Sequence, residues 1–247
     1  MSDPGPFLTA EWRDLAMVNY EIDPAVLRPF VPAGTELDTW AGRTFVSVVG
    51  FRFLRTRVRG VPVPRHRDFE ELNLRFYVRR VAADGPRRGV VFVKEAVPRR
   101  AIAWLARAVY NENYVALPMR HAVAASNGTI RTAYEWYHAA RWHALRVEAE
   151  GAPSLPADDC EETFITEHYW GYARQRDGGT VEYRVEHPRW SVWRATAATL
   201  DCDVARFYGP TFAPFVCGRP RSAFIADGSP IVVRRGVRLT ESKGMRA

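Results

Sequence analysis

The chain has 247 residues, enough for one large domain or two modest ones, and 47% of them are apolar, including eight Trp and thirteen Phe. Its net charge of +7 comes almost entirely from arginine, because Lys94 and Lys243 are the only lysines. Three cysteines without CxxC spacing argue against a zinc or disulfide framework. No apolar run reaches the ~18 residues of a membrane-spanning helix, and the N-terminus lacks a signal-peptide pattern. We therefore expect a cytoplasmic protein with no membrane partner.

The N-terminal part predicts a strand, a short helix and a second strand. Trp12–Glu21 alternates imperfectly, as a strand does. Asp23 and Pro24 have the residue types of a helix N-cap and first helical position, and the helix should end at Phe30. The residues of Thr44–Leu54 are mostly small or apolar, which predicts a buried strand.

The segment Glu71–Val78 alternates strictly with a period of two, which predicts a strand. One side carries Leu72, Leu74, Phe76 and Val78, and the other carries Glu71, Asn73, Arg75 and Tyr77. Alternation alone leaves open whether the polar side faces water or a polar interior. Asp84-Gly85 then predicts a hairpin turn.

Strand, helix and strand are predicted next, over Val90–Val93, Arg99–Tyr110 and Tyr114–Leu117. The helical segment is apolar on nearly all sides, which is typical of a buried helix. We expect chemistry at its two ends. The polar residues there are Lys94 and Glu95 before the helix, and Glu112 and Asn113 after it.

The remaining chain predicts further strands. Hairpin turns are indicated at Asn127-Gly128, at Asp177-Gly178-Gly179 and at Asp227-Gly228-Ser229. Phe164–Arg174 is predicted as a strand and Asp203–Val216 as a broken helix. With about a dozen strands and few helices, the chain is predicted to be one α+β domain over residues 1–247. Its sheet should be mostly antiparallel, curled and β-barrel-like, around a buried central helix.

Common catalytic and cofactor-binding motifs are absent from the sequence: it has no GxxxxGK[ST], GxGxxG, HExxH or GxSxG. The six histidines are scattered, so neither a metal nor a cofactor is predicted. Arginine is spread over every element, which argues against nucleic acid as the partner and leaves a small molecule. Homo-oligomer formation is left open.

Charged residues near the predicted helix suggest two kinds of chemistry. Glu71 and Arg75 on one strand side could orient a carboxylate, or Arg75 could bind a carboxylate ligand in a bidentate manner. Lys94 beside an apolar helix would have a lowered pKa, as Schiff-base chemistry requires. The alternative, which we favour, is that Lys94 reaches solvent and pairs with a surface acid.

Several stretches resemble the DUF2071 (YqjF-like) family, in the same order along nearly the whole chain. They are NYEIDPAVLRPFVPAGTELD, FEELNLRFYV, FVKEAVPRRAIAWLARAVYNENYVALPM, EHYWGY, YGPTFAPFV and SAFIADGSPIVV. This family is grouped with the acetoacetate decarboxylase-like superfamily. The resemblance implies a curled, mostly antiparallel barrel with a helix in its cone.

The superfamily's functional residues carry over only in part. The resemblance places Arg13 on the arginine position and Glu71 on the glutamate position. The Schiff-base lysine pair falls on Asn113-Tyr114 or its neighbours, where this sequence has no lysine. Without an amine there is no imine to accept electrons during decarboxylation, so the resemblance argues against that reaction.

We therefore predict a pocket that binds or transforms a small organic acid or carbonyl compound without a Schiff-base lysine. The predicted substrate-binding residues are Arg13, Arg75 and Asn113; the predicted catalytic residues are Glu71, Glu95 and Tyr114, with Lys94 as the alternative amine. Whether the protein is an enzyme is left open. A lyase, hydratase or isomerase would need a carboxyl with a raised pKa, whereas a binding module would have its charges paired, and a Lys94-dependent lyase is the third alternative.

Overall fold

A computed structural model of the protein describes residues 5–63, 66–104 and 111–239. These residues form fifteen strands that belong to one mixed sheet. The strands are β1 (Pro6–Ile22), β2 (Glu36–Leu37), β3 (Thr44–Val58), β4 (Val61–Pro62), β5 (Phe69–Ala82), β6 (Gly85–Val97), β7 (Tyr114–Ala116), β8 (Met119–Ser126), β9 (Thr129–His138), β10 (Arg141–Glu150), β11 (Trp170–Arg174), β12 (Thr180–Glu186), β13 (Val192–Asp201), β14 (Ser222–Arg234) and β15 (Val237–Arg238).

The helices of the described residues are short. They are the α-helices Pro24–Leu27, Glu161–Thr166 and Val204–Phe207, the 3₁₀ helix Arg28–Phe30, and a helical turn at residues 100–104. Asp23 caps the first helix as predicted, because the Ala25 amide donates to its Oδ1 at 2.7 Å. None of these helices has the length and apolar character needed to cross a bilayer.

The helix predicted over Arg99–Tyr110 lies partly outside the described residues, which include its first turn only. In that turn Ala103 is buried and Ile102 is half-buried, whereas Trp104 is 70% exposed. The described turn therefore packs one side against the protein and leaves the other in solvent.

Seven strands of the sheet close into a ring. The order around the ring is β1, β3, β5, β6, β11, β12 and β14, and β14 pairs again with β1. Only the pairing of β6 with β11 is parallel within the ring, and β7 adds a second parallel pairing at β6. The α+β class with a curled, mostly antiparallel sheet is thus confirmed.

A second layer covers the outside of the ring. The strands β13, β10, β9 and β8 continue the sheet from β14 and fold back over the outer side of β1, β3 and β5. Val48, Leu74 and Phe76 from the ring pack there against Trp136 and Leu145 in one apolar cluster. Close approach of the layers requires a glycine, because a Cβ at Gly50 would lie 2.7 Å from the ring of Tyr134.

The ring also encloses an apolar cluster on its inner side, which includes Met17, Phe51, Tyr77 and Ile165. Both sides of β5 are consequently buried over residues 71–78. The strict alternation predicted for this strand is present, and its polar side faces the interior of the ring rather than water.

Three predicted elements differ from the structure. Phe164–Arg174 is not one strand, because its first residues end the helix Glu161–Thr166. The helical part of Asp203–Val216 is only Val204–Phe207. Asp227-Gly228-Ser229 is not a turn but lies within β14. Gly228 has φ +79°, and a Cβ there would overlap the carbonyl oxygen of Trp12, so this glycine permits a close approach of two strands.

Candidate functional site

The interior of the ring contains a cavity of about 140 Å³. Most of its wall is aromatic or aliphatic, from residues such as Trp12, Phe51, Phe92 and Trp190. The polar residues that line it are Glu71, Asn73, Arg75, Glu95, Glu112, Tyr114, Thr166, His168, Tyr183 and His187. An apolar cavity with a small number of convergent polar groups is the usual form of a small-molecule site.

The polar side of β5 forms one wall of this cavity. Glu71, Asn73 and Arg75 are successive inward residues of that strand, and each is at most 8% exposed. Their outward neighbours Leu72 and Leu74 are packed in the outer core, which fixes the register. The structure therefore holds three polar side chains inside the ring at regular spacing.

A hydrogen-bonded group surrounds the Glu71 carboxyl. Tyr114 Oη donates to Glu71 Oε2 at 3.0 Å, and Asn73 Nδ2 donates to Glu71 Oε1 at 3.2 Å. Burial raises the pKa of Glu71 to about 7, although these two hydrogen bonds and the charge of Arg75 act in the opposite direction. Glu71 can therefore exchange a proton near neutral pH.

Two further carboxyls, Glu95 and Glu112, lie beside Glu71 and share a hydrogen bond with each other. Tyr183 Oη also donates to Glu112 Oε1 at 2.6 Å. Burial raises the pKa of Glu112 to about 7, while burial together with the charges of Glu112 and Glu71 raises the pKa of Glu95 well above its usual value. Three neighbouring carboxyls that cannot all ionise form a store of transferable protons.

Arg75 is buried without a carboxylate partner among the described residues. Its Nη2 donates to the carbonyl oxygen of Ile165 at 3.3 Å, and its Nε has no hydrogen-bond partner there. Its Cζ lies 5.7 Å from the ring centroid of Tyr77. Because burying an unpaired guanidinium is costly, this arrangement suits a bound anion.

Arg13 does not line the cavity, contrary to the sequence prediction. A bulge at Asp14, which has φ +56°, shifts the register of β1. Trp12 and Leu15 consequently both face the interior, and Arg13 between them faces outward. Arg13 is 35% exposed there and forms an ion pair with Glu11 at 3.1 Å.

Lys94 also lies outside the cavity. The register of β6 against β5 shifts between Lys94 and Phe92, so that Phe92 and Glu95 face inward. The Lys94 ammonium donates to the backbone carbonyl oxygen of Phe207. It also lies 4.9 Å from the centroid of the Phe207 side-chain ring. Partial burial lowers the pKa of Lys94, but the amine is in the outer layer.

Asn113 does not reach the cavity either. Its side chain is exposed, and its Nδ2 donates to the carbonyl oxygen of Val93 at 3.0 Å. It links β7 to β6 and so helps to position Tyr114. Of the seven predicted residues, Glu71, Arg75, Glu95 and Tyr114 are brought together, while Arg13, Lys94 and Asn113 are not.

Several lining residues have no assigned role in the sequence prediction. Glu112 is singled out there only as a polar residue after the helix, and His168 only as a scattered histidine. Asn73 and Tyr183 carry no signal beyond the alternation of their strands. No cluster of His, Cys, Asp or Glu in the described part of the chain is arranged to hold a metal ion.

Solved structures with similar folds are acetoacetate decarboxylase-like enzymes. Acetoacetate decarboxylase from Legionella pneumophila subsp. pneumophila str. Philadelphia 1 matches 96% of this chain and 88% of its own, with a TM-score of 0.66 and 13% identity. The enduracididine biosynthesis enzyme MppR, complexed with pyruvate, matches 97% of this chain and 92% of its own, with a TM-score of 0.67 and 13% identity. These likenesses show a shared fold.

Sequence comparison gives the family. Uncharacterized protein YqjF of Bacillus subtilis (strain 168) is 41% identical over 68 residues, which are 27% of this chain and 28% of that protein. The match thus spans under a third of the curated relative. The sequence model of DUF2071, described as an uncharacterized conserved protein, matches residues 9–230. The chain therefore belongs to the DUF2071 family and has the fold of acetoacetate decarboxylase-like enzymes.

Proposed function

We propose that the protein binds a small organic acid in the ring cavity and moves a proton at a carbon of that acid, without a covalent lysine intermediate. The observation that carries the proposal is the placement of Arg75, a buried cation with no carboxylate partner among the described residues, in the same cavity as three carboxyls of raised pKa.

Arg75 supports binding of the acid. Its guanidinium can donate two parallel hydrogen bonds to a carboxylate, and burial strengthens such a pair relative to water. The cavity limits the size of the ligand. An apolar cavity of about 150 Å³ accommodates benzene, so a cavity of about 140 Å³ fits an acid of about six to eight heavy atoms.

The carboxyl cluster supports proton transfer. Two hydrogen bonds and the charge of Arg75 lower the pKa of Glu71 against burial, so among the three carboxyls it is the group best suited to be the ionised base. It would take a proton from the carbon next to a carbonyl or carboxylate, whose electron pair then moves to the oxygen. Glu95, whose pKa burial raises well above its usual value, can in its protonated form donate a hydrogen bond to the developing negative oxygen.

The Lys94-dependent alternative has less support. An imine needs an amine in contact with the substrate carbonyl. Lys94 is in the outer layer with its ammonium bound to the Phe207 carbonyl, and no lysine lines the cavity among the described residues. The raised pKa values of the carboxyls favour an enzyme over a binding module, in which we expected charges to be paired.

Binding is tested with Arg75→Gln and with Arg13→Gln as the matched control, since Arg13 is an arginine that bonds Glu11 outside the cavity. Titration calorimetry with pyruvate, acetoacetate, butyrate and 3-hydroxybutyrate should give saturable binding to the wild type. Arg75→Gln should lose at least 10-fold in affinity, because a charged hydrogen-bond pair contributes roughly 1.5–3 kcal/mol. Arg13→Gln should bind as the wild type does.

Proton transfer is tested by NMR in D₂O, which follows the exchange of carbon-bound protons of the bound acid. We expect exchange with the wild type and a loss of about 100-fold or more with Glu71→Gln, as for removal of a general base. If the acid binds but its carbon-bound protons do not exchange, the protein is a binding module and not a proton-transfer enzyme. No binding by any of these acids, or equal binding by Arg75→Gln, would overturn the proposal.

A further inference from the structure

A second polar group lies in the cavity, separate from the carboxyl cluster. His168 lines the cavity, its side chain is 1% exposed, and its ring packs against that of Tyr77 at a tilt of 40°, with centroids 4.6 Å apart. His168 Nε2 lies 3.2 Å from Asp38 Oδ2. Its other nitrogen, Nδ1, is buried and has no hydrogen-bond partner among the described residues.

The surroundings of Asp38 determine which nitrogen carries the proton. Arg88 Nε donates to Asp38 Oδ2 at 2.7 Å, and the Thr39 amide donates to Oδ1 at 3.0 Å. These contacts keep Asp38 ionised, and the pKa of Asp38 is lowered to about 2 by hydrogen bonds from His168 and Arg88 that outweigh burial. An ionised carboxylate only accepts hydrogen bonds, so His168 Nε2 must donate.

Nδ1 of a neutral His168 is consequently a lone-pair acceptor. Burial lowers the pKa of His168 to about 4, against the opposite effect of Asp38, so the ring is neutral at physiological pH. When a carboxylate accepts the proton of one ring nitrogen of a histidine, it fixes the tautomer and leaves the other nitrogen as an acceptor. A buried acceptor without a donor carries a desolvation penalty that a ligand can remove.

Arg75 lies between His168 and the carboxyl cluster. Along the inner side of β5 the order is Glu71, Asn73, Arg75 and Tyr77, and the His168 ring packs against the ring of Tyr77. Arg75 Nη2 donates to the carbonyl of Ile165, three residues before His168. An acid held at Arg75 could therefore present one substituent to the carboxyls and another to His168.

We propose that His168 Nδ1 accepts a hydrogen bond from a hydroxyl group of the bound acid, so that the cavity selects small hydroxy acids. This inference rests on the proposed function, because it takes Arg75 as the group that holds the carboxylate. It adds a specificity-determining residue and narrows the ligand class from organic acids in general to those with a hydroxyl donor.

The test compares two acids that differ only in the hydroxyl, 3-hydroxybutyrate and butyrate. Calorimetry with the full chain should show that the hydroxy acid binds roughly 5- to 50-fold more tightly, the range expected when a buried acceptor would otherwise remain unpaired. His168→Leu should bring this ratio close to 1 with little change in butyrate affinity. Lactate and propionate form a second matched pair.

A measurement on the unsubstituted protein covers the case in which His168→Leu does not fold. In ¹⁵N-histidine NMR spectra, His168 should be neutral with the proton on Nε2, and its Nδ1 signal should move when 3-hydroxybutyrate is added but not when butyrate is added. The spectrum of His168→Gln should lack one pair of ring-nitrogen signals, and this missing pair is assigned to His168.

The outcomes separate this inference from the proposed function. If both acids bind equally tightly and Arg75→Gln weakens both, selection by His168 is wrong while the proposed function stands. A proton on Nδ1, or an Nδ1 signal that the bound hydroxy acid leaves unmoved, also overturns the inference. If neither acid binds but pyruvate or acetoacetate does, the inference alone falls; if none of the four acids binds, the proposed function and the inference both fall.

Discussion

At the scale of single residues, the side chains that contribute to the cavity differ from those that chemical type alone would select. Lys94 is an attractive nucleophile in the sequence, because it is one of only two lysines and follows an apolar strand. In the structure its ammonium is bound to the Phe207 carbonyl in the outer layer. Glu95, its neighbour, is the residue that enters the cavity.

This placement predicts the result of trapping with borohydride. In the presence of acetoacetate, peptide mass spectrometry should find no reductive modification at Lys94, because a ligand in the ring cavity is separated from the amine by the sheet. Lys94→Met should retain the ligand-induced rise in melting temperature, with Arg75→Gln as the variant that loses it. Modification of Lys94 that requires the acid and disappears in Arg75→Gln would show an imine mechanism instead.

Four of the residues that the sequence singles out line the cavity, namely Glu71, Arg75, Glu95 and Tyr114. Glu71 and Arg75 belong to a stretch of strict alternation, and regular alternation fixes which residues share a side. Glu95 and Tyr114 were located from their position beside the predicted helix. His168 had no such signal, because its importance comes from Asp38, which is 130 positions away in the sequence.

At the scale of strands, two register shifts decide which charged residues enter the cavity. The bulge at Asp14 turns Trp12 inward and Arg13 outward, and the shift in β6 turns Glu95 inward and Lys94 outward. A one-residue slip moves every following side chain to the other side of a sheet. The sequence shows no mark of either shift, which is why it places Arg13 in the cavity and leaves open whether Lys94 enters it.

Gly228 allows a test of the first bulge. It pairs with Arg13 across β1 and β14, has φ +79°, and a Cβ there would overlap the Trp12 carbonyl. Gly228→Ala should therefore lower the free energy of unfolding by roughly 2–4 kcal/mol, the sum of a strained left-handed backbone and a steric clash. Denaturant unfolding measures this change.

Gly178→Ala is the matched control for Gly228→Ala. Gly178 has a similar φ of +84°, but nothing lies within 4 Å of the added Cβ. Its substitution should cost only the backbone strain, about 1 kcal/mol. Equal destabilisation by the two variants would mean that the close approach at Trp12 does not support the bulge.

At the scale of the whole molecule, one sheet uses its two sides for different purposes. The outer side of the ring is apolar and packs against the second layer, so it provides hydrophobic stabilisation. The inner side holds carboxyls, Arg75 and His168 around the cavity, which costs stability because buried ionisable groups lose hydration. The sequence predicted the curled sheet, but it could not reveal the second layer, since that depends on contacts between strands far apart in the chain.

The buried carboxyls should make stability depend on pH in a specific direction. The pKa of Glu112 is raised from 4.5 to about 7 on folding, so the folded state binds the proton more tightly than the unfolded state does. Its favourable contribution is complete below pH 4.5 and is lost as the pH rises through about 7. His168 acts oppositely, because its pKa falls to about 4, and its contribution is lost as the pH falls from 6.5 toward 4. The two effects therefore oppose each other in the pH dependence of the free energy of unfolding of the wild type.

Comparing the free energy of unfolding of the wild type with that of Glu112→Gln separates the carboxyl effect from the histidine effect, because His168 is present in both proteins. Glu112→Gln keeps an oxygen that can accept from Tyr183 but cannot ionise. From pH 4.5 to 8, the free energy of unfolding of the wild type should fall relative to Glu112→Gln by roughly 2–3 kcal/mol, since each pKa unit corresponds to about 1.4 kcal/mol. Urea unfolding at several pH values measures the two curves, with exposed Glu36→Gln as the control for removing one charge. Parallel wild-type and Glu112→Gln curves across that range would mean that Glu112 ionises as freely in the folded protein as in the unfolded chain.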